Sequence, residues 1–276
     1  MPMLQVLRRR NPEARRVRRG MYLLPSLFTL ANMFCGYACV IFATRGEYAT
    51  AAPFIGIAVV LDMLDGRIAR LTGATSEFGK EFDSLADVIS FGMAPAVLAY
   101  SWGLSTYGRL GWAVGFVFVS AAAIRLARFN IQSGANPDKR YFVGMPSPAA
   151  AGVPAATVFA YPFGLTDWYA ALAVPVLLVP ALLMVSTVKY RSFKTFDLGR
   201  RRPVSGLILA ALGIVAIATF PQWTLLTLAY GYLASAFIGL ALTRLRPRRS
   251  QLDDRAAGPS YDRPTPDVAR TGSADD

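Results

Sequence analysis

Between Leu61 and Ser90 the chain reads LDMLDGRIARLTGATSEFGKEFDSLADVIS, a stretch that holds six of the seventeen acidic residues in the 276-residue sequence. Four of them, Asp62, Asp65, Asp83 and Asp87, stand at helical spacing at the edge of apolar segments. At about 100° per residue, Asp62, Asp65, Gly66 and Ala69 share one helical face. Gly79, Asp83 and Asp87 then follow at i, i+4 and i+8, and Ser90 continues the same face. The intervening LTGATSEFG is short, polar and glycine-containing, so it should turn the chain and let the two acidic faces meet. A carboxylate at the centre of a membrane helix costs about 2.5–3.5 kcal/mol on insertion scales, and four together call for a compensating cation. An all-oxygen set suits Mg2+, Mn2+ or Ca2+, and two such ions could clamp a phosphoryl group during in-line displacement. Gly66 and Ala69 leave room for a bulky ligand or a second backbone, and Arg70 could add a cation beside phosphates.

The elements that must position these residues are membrane helices. Hydrophobic residues make up 54% of the chain, mean hydropathy is +0.38, and apolar runs of membrane-spanning length recur along it. The expected fold is all-α, a polytopic membrane helix bundle with spans near 22–43, 49–71, 84–104, 109–128, 148–165, 168–188, 204–220 and 222–243. Residues 1–20 carry seven arginines and form a basic cytoplasmic arm on anionic lipid head groups. Residues 21–243 make the transmembrane catalytic domain, and 244–276 a disordered cytoplasmic tail. With the N-terminus inside, 27 of the 29 Lys and Arg residues fall on the cytoplasmic side, leaving only Arg45 and Arg109 outside. That asymmetry puts both termini and the acidic stretch at the cytoplasmic face of the cell membrane. The net charge of +12 is thus accounted for by orientation, without nucleic acid. Cys35 and Cys39, four apart on one apolar helix, read as core packing. The sequence has no histidine, which removes Ser-His-Asp triads and His-containing zinc sites and leaves a carboxylate as the expected general base.

The pattern Asp62-xx-Asp65-Gly66-xx-Ala69-Arg70, eight residues, then Gly79-xxx-Asp83-xxx-Asp87 resembles the full signature of the CDP-alcohol phosphotransferases. The resemblance implies a membrane enzyme that transfers a phosphatidyl or related group from a cytidine diphosphate carrier to an alcohol, releasing CMP. It further implies that Asp62, Asp65 and Asp83 bind divalent metal, that Asp87 is general base as well as metal contact, and that Gly66, Ala69, Arg70 and Gly79 line the CDP site. It also implies a homodimer. LPSLFTLANMFCGY, FDSLADVISFGMAPA, RLARFN, YFVGMPSPAAAG and KYRSFK are similar to the phosphatidylserine synthase branch, over about residues 20–200. Ser26 departs from the Asn common there. Val88 stands where the glycerol phosphate branch usually has a basic residue, which fits an acceptor without a phosphate of its own.

The implied reaction joins CDP-diacylglycerol to L-serine by direct displacement, with two ions, Mg2+ or Mn2+, holding the phosphates. Serine's carboxylate needs a cation, for which Arg125 and Arg128 are the candidates; each also suits a positive-inside anchor. Thr29 and Asn32 could hydrogen-bond cytidine or pack helices together. Tyr141–Pro148 is expected to frame the pocket entrance. Two other readings stay open: the same chemistry on glycerol phosphate or an inositol, and a cation or proton transporter whose Asp cluster binds the carried ion.

Overall fold

The structure is a computed structural model that describes the backbone of residues 12–72, 76–135, 141–186, 189–191 and 203–245. The distal basic arm, the C-terminal tail from residue 246 and the basic segment 192–202 lie outside the described residues. The chain divides into a unit Met1–Gly239 and a unit Leu240–Asp276, the second represented by the last turns of one helix.

Each expected span contains a helix. They are α1 (Pro12–Thr44), α2 (Tyr48–Thr72), α3 (Glu77–Asp87), α4 (Ala94–Trp102), α5 (Arg109–Ala135), α6 (Ser147–Ala160), α7 (Ala173–Val185), α8 (Pro203–Thr219) and α9 (Pro221–Leu245). Segments Pro25–Thr44, Tyr48–Leu71, Glu77–Trp102, Arg109–Ile131 and Asp167–Val185 are long and apolar enough to cross a membrane. The protein is therefore an integral membrane helix bundle. Helix α6, with 14 residues, spans about 21 Å against a hydrocarbon core of about 30 Å. It stops at Tyr161, just before Pro162, which accounts for its falling short of the expected residue 165.

The third span starts earlier than its hydropathy suggests. Ser76 caps α3 by accepting the Gly79 N–H at 2.9 Å, so Glu77–Lys80, with a charge at each end, form the first turn of the same helical rod. Between α3 and α4 the rod widens into a π turn, Val88–Met93, directly after Asp87. Such widening resets the helical phase, so residues before and after it meet different neighbours.

Small side chains let these helices pack closely. Ala38, Cys39 and Ala43 on α1 and Ala51, Ala52 and Ala58 on α2 are all buried, and α1 runs along α2. Both cysteines are free and buried, as core packing requires. Helix α5 packs on α7, and α6 fills the space between α2 and α7. Outside the bundle, β1 (Tyr141–Val143) pairs antiparallel with β2 (Lys189–Arg191), joining Tyr141 to Arg191 and Val143 to Lys189. Gly144 leaves β1 at φ +85°, where an added Cβ would run into the Met184 carbonyl. The neighbouring Met145 N–H donates to Leu183 O at 3.0 Å, fixing the start of α6 against the end of α7.

Candidate active site

The two acidic faces meet as the turn chemistry suggests. Asp62 from α2 and Asp83 and Asp87 from α3 bring carboxylate oxygens within 4.8 Å of one another. The fourth member, Asp65, is 4% exposed and lies outside that trio; the Thr29 hydroxyl of α1 sits 3.2 Å from its Oδ2 and 3.1 Å from Pro25 O. The structure thus resolves the quartet into a cluster of three and a neighbour held by α1.

Whether the trio suits a cation can be judged from its unmet bonding. Asp83 Oδ1 is buried without a hydrogen-bond partner among the described residues. Asp87, 8% exposed, receives one bond among the described residues, from Asn32 Nδ2 at 3.4 Å. Three converging carboxylates with spare lone pairs and almost no donors repel one another unless a divalent ion or protons intervene. Their all-oxygen chemistry fits a hard cation.

Next to the trio lies a polar cavity of about 430 Å3. Its walls come from the start of α1 (Pro25, Ser26, Thr29), the end of α2 (Asp65, Gly66, Ala69, Arg70) and the first turns of α3 (Ser76, Glu77, Gly79, Lys80, Asp83). Asp83 belongs to both the cavity and the trio. All four residues expected to line a CDP site, Gly66, Ala69, Arg70 and Gly79, are in this wall, and Lys80 adds a second cation. A Cβ on Gly79 would lie 3.0 Å from Ser76 Oγ, the atom that caps the helix, so a side chain there would crowd the cap as well as the cavity. Two larger grooves, about 590 and 580 Å3, are lined mainly by apolar and aromatic side chains and contain none of the four aspartates.

Asn32 does not line the polar cavity with Thr29. It is fully buried on the next turn of α1, bonded to Asp87, and its own Oδ1 has no partner among the described residues. An unmade bond on a buried amide oxygen costs about 1–3 kcal/mol. The two arginines of α5 also part company. Arg125 Nη1 donates to Ser147 Oγ at 3.0 Å, its guanidinium stands 5.8 Å from the Phe129 ring centroid, and it lies in the electrostatic range of Asp87, Asp62 and Tyr232. Arg128 Nη1 donates to Val185 O at 3.2 Å, capping the last carbonyl of α7.

Several contacts around the site had no clear counterpart in the spacing of residues. Asn130 Nδ2 donates to Ser84 Oγ at 2.9 Å, tying α5 to the turn between Asp83 and Asp87. Ser147, fully buried, is the first residue of α6 and sits in Tyr141–Pro148, the stretch expected to frame the pocket entrance; no described residue of that stretch is in the wall of the polar cavity. Ser90 Oγ donates to Asn32 O at 2.9 Å.

A family model described as CDP-alcohol phosphatidyltransferase matches residues 22–188, which include every residue of the carboxylate cluster and the polar cavity. The CDP-diacylglycerol--serine O-phosphatidyltransferase of Helicobacter pylori (strain ATCC 700392 / 26695) is 42% identical over 179 residues, covering 63% of this chain and 74% of that protein. The protein of the same name from Mycobacterium leprae is 41% identical over 145 residues, 51% of this chain and 48% of its own. Archaetidylserine synthase of Methanothermobacter thermautotrophicus is 36% identical over 170 residues, with 60% and 69% covered.

Proposed function

Because the chain belongs to the CDP-alcohol phosphatidyltransferase family, we propose that it moves the phosphatidyl group of CDP-diacylglycerol onto the hydroxyl of L-serine, giving phosphatidylserine and CMP. The observation that carries this reading is the junction at Asp83, where a polar cavity with two cations on its wall adjoins a half-buried carboxylate trio. A transporter needs an ion site alone; it has no use for an adjoining pocket bearing Arg70 and Lys80 beside room left by Gly66, Ala69 and Gly79.

The cytidine diphosphate lies in that cavity, with its charged oxygens toward Arg70 and Lys80 and the two glycines and Ala69 giving it clearance. Thr29, on the same wall, steadies Asp65 and is in reach of the nucleotide. Asp62, Asp65, Asp83 and Asp87 would hold divalent metal, Mg2+ or Mn2+ and two ions, which when bound supply positive charge to the phosphate oxygens and the departing CMP.

Asp87 is the base. It sits at the end of α3 where the π turn begins, is nearly buried, and is oriented by Asn32. As the serine oxygen forms its bond to the phosphorus that carries diacylglycerol, Asp87 takes the hydroxyl proton. The bond from that phosphorus to the oxygen bridging to CMP breaks, and its electron pair leaves on CMP. The sequence has no histidine to relay the group, so a single displacement is favoured over a phosphoenzyme. Of the two candidate cations for serine's carboxylate, Arg125 is the better placed, since Arg128 is engaged with Val185.

The same reading places residues 21–243 as the catalytic domain in the cytoplasmic membrane, with the site and both termini on the cytoplasmic side, and takes the enzyme as a homodimer. The test is CMP release by purified protein from CDP-diacylglycerol with Mg2+ or Mn2+ and a panel of alcohols. Serine should be the preferred acceptor. Release with glycerol phosphate but not with serine would overturn the acceptor, and no release with any alcohol would overturn the transferase reading.

A further inference from the structure

Three observations concern side chains around Asp87 that are not in the wall of the polar cavity. Neither Asn32 nor Arg125 is on the cavity wall, although both act on Asp87, one by a hydrogen bond and the other by its charge. Arg125 lies within a membrane span, yet among the described residues its guanidinium donates one hydrogen bond, to the Ser147 hydroxyl, and makes no ion pair. Of the five N–H groups that a guanidinium carries, most are left to be used. The third observation is the Asn32 amide oxygen, fully buried and unpartnered, on the same side chain whose nitrogen reaches Asp87.

A guanidinium with N–H groups to spare and an unpartnered amide oxygen, both on side chains that act on the base, complement a small molecule that carries a carboxylate and an ammonium beside a hydroxyl. Resting on the serine reading of this site, we propose that Asn32 and Arg125 form the acceptor subsite and that Ser147 is its positioning residue. The carboxylate of the acceptor lies on Arg125, whose orientation Ser147 sets from the first turn of α6. The ammonium donates to Asn32 Oδ1, which leaves the hydroxyl facing Asp87. Asn32 therefore reads the acceptor, and the nucleotide is read from the polar cavity, whose wall holds Thr29. Phe129 under the guanidinium supplies a flat face that a Lys at 125 would not use in the same way.

The test separates the two halves of the subsite with truncated acceptors. Ethanolamine lacks the carboxylate and 3-hydroxypropionate lacks the ammonium. Wild-type enzyme should favour serine over both. Ser147→Ala should raise KM for serine at least tenfold while KM for CDP-diacylglycerol stays within twofold. It should also erase most of the preference for serine over ethanolamine but keep that over 3-hydroxypropionate. Asn32→Ala should do the converse, and Ser147→Thr should restore the wild-type pattern. Should Ser147→Ala not fold, Arg125→Lys carries the carboxylate half with the same expectation. Equal loss toward serine and CDP-diacylglycerol, or unchanged selectivity in the variants of an enzyme that uses serine, overturns the subsite and leaves the serine reading standing. A wild-type enzyme that ignores serine overturns the serine reading itself, with no variant needed.

Discussion

Gly36 of α1 lies directly against Ser90 of the π turn. A Cβ built on Gly36 would stand 2.7 Å from Ser90 Oγ and 2.8 Å from Ser90 Cα, and the same serine hydroxyl donates to Asn32 O, one turn back on α1, at 2.9 Å. This crossing clamps α1 to the rod that carries Asp83 and Asp87, and so sets the Asn32–Asp87 hydrogen bond. Gly36→Ala should push the helices apart. Because the second close contact is to a backbone carbon, trimming Ser90 cannot restore the space. Overpacking of this kind costs about 1–3 kcal/mol. The expected result is a lower midpoint of thermal unfolding in detergent and at least a tenfold loss in CMP release. Wild-type behaviour in both would show that the crossing does not position the base.

Asp87 is proposed to carry proton transfer in addition to metal contact, and Asp62 and Asp83 metal contact alone, although the three sit together. Asp87→Asn keeps the size of the side chain and removes its basicity. A positioned general base contributes about 10²–10⁴-fold, so kcat should fall by at least a hundredfold. Binding of CDP-diacylglycerol, followed by equilibrium titration, should change little, because Asp87 is not on the wall of the polar cavity. Asp83→Asn touches both cavity and trio and should weaken nucleotide binding as well. If the two variants proved indistinguishable in binding, Asp87 would be a metal ligand alone.

The carboxylate signature could be read from the chain because helical period alone brings Asp62, Asp65, Asp83 and Asp87 to facing stripes once a short polar turn joins them. The cavity wall was legible for the same reason, since Gly66, Ala69, Arg70 and Gly79 share those stripes. What could not be read depends on packing between distant segments. The π turn at Val88–Met93 has no sequence marker of its own; it accompanies the close approach of Gly36 and Ser90. Helical phase placed Asn32 one turn beyond Thr29, but only the crossing shows that the first faces Asp87 and the second Asp65. The pairing of β1 with β2 spans the whole of α6 and α7, and with it come Gly144 at φ +85° and the placement of Ser147 beneath Arg125. Hydropathy also misjudged where α3 begins, because the first turn carries the charged Glu77 and Lys80 yet is capped into the helix by Ser76.

Removal of divalent metal should stop the reaction and soften the fold together. The trio gains its main favourable partner when an ion binds, so an ion at a hundred times its Kd should add about 2.7 kcal/mol to stability. Chelation should therefore abolish CMP release and lower the unfolding midpoint, and Mg2+ or Mn2+ should restore both. Mn2+ binding followed by electron paramagnetic resonance should be lost in Asp83→Asn. An unfolding midpoint indifferent to metal, with Mn2+ unbound by the wild type, would remove the ion from this site.

The proposed orientation of the bundle rests on where its charges lie, and it can be checked from outside the cell. The connection between α1 and α2 holds Arg45, and that between α4 and α5 precedes Arg109; these two are the basic residues that the inside-positive arrangement leaves outside. The start of α3, one membrane crossing away from each connection, carries the polar cavity. Arg45, Ser105 and Glu81 are all exposed, whereas native Cys35 and Cys39 are buried and should not react. On intact cells a membrane-impermeant maleimide should label Arg45→Cys and Ser105→Cys, and should reach Glu81→Cys only after permeabilisation. The reverse pattern would put the carboxylate cluster on the outer face, away from cytoplasmic serine and nucleotide-activated lipid, and would overturn the cytoplasmic placement of the site.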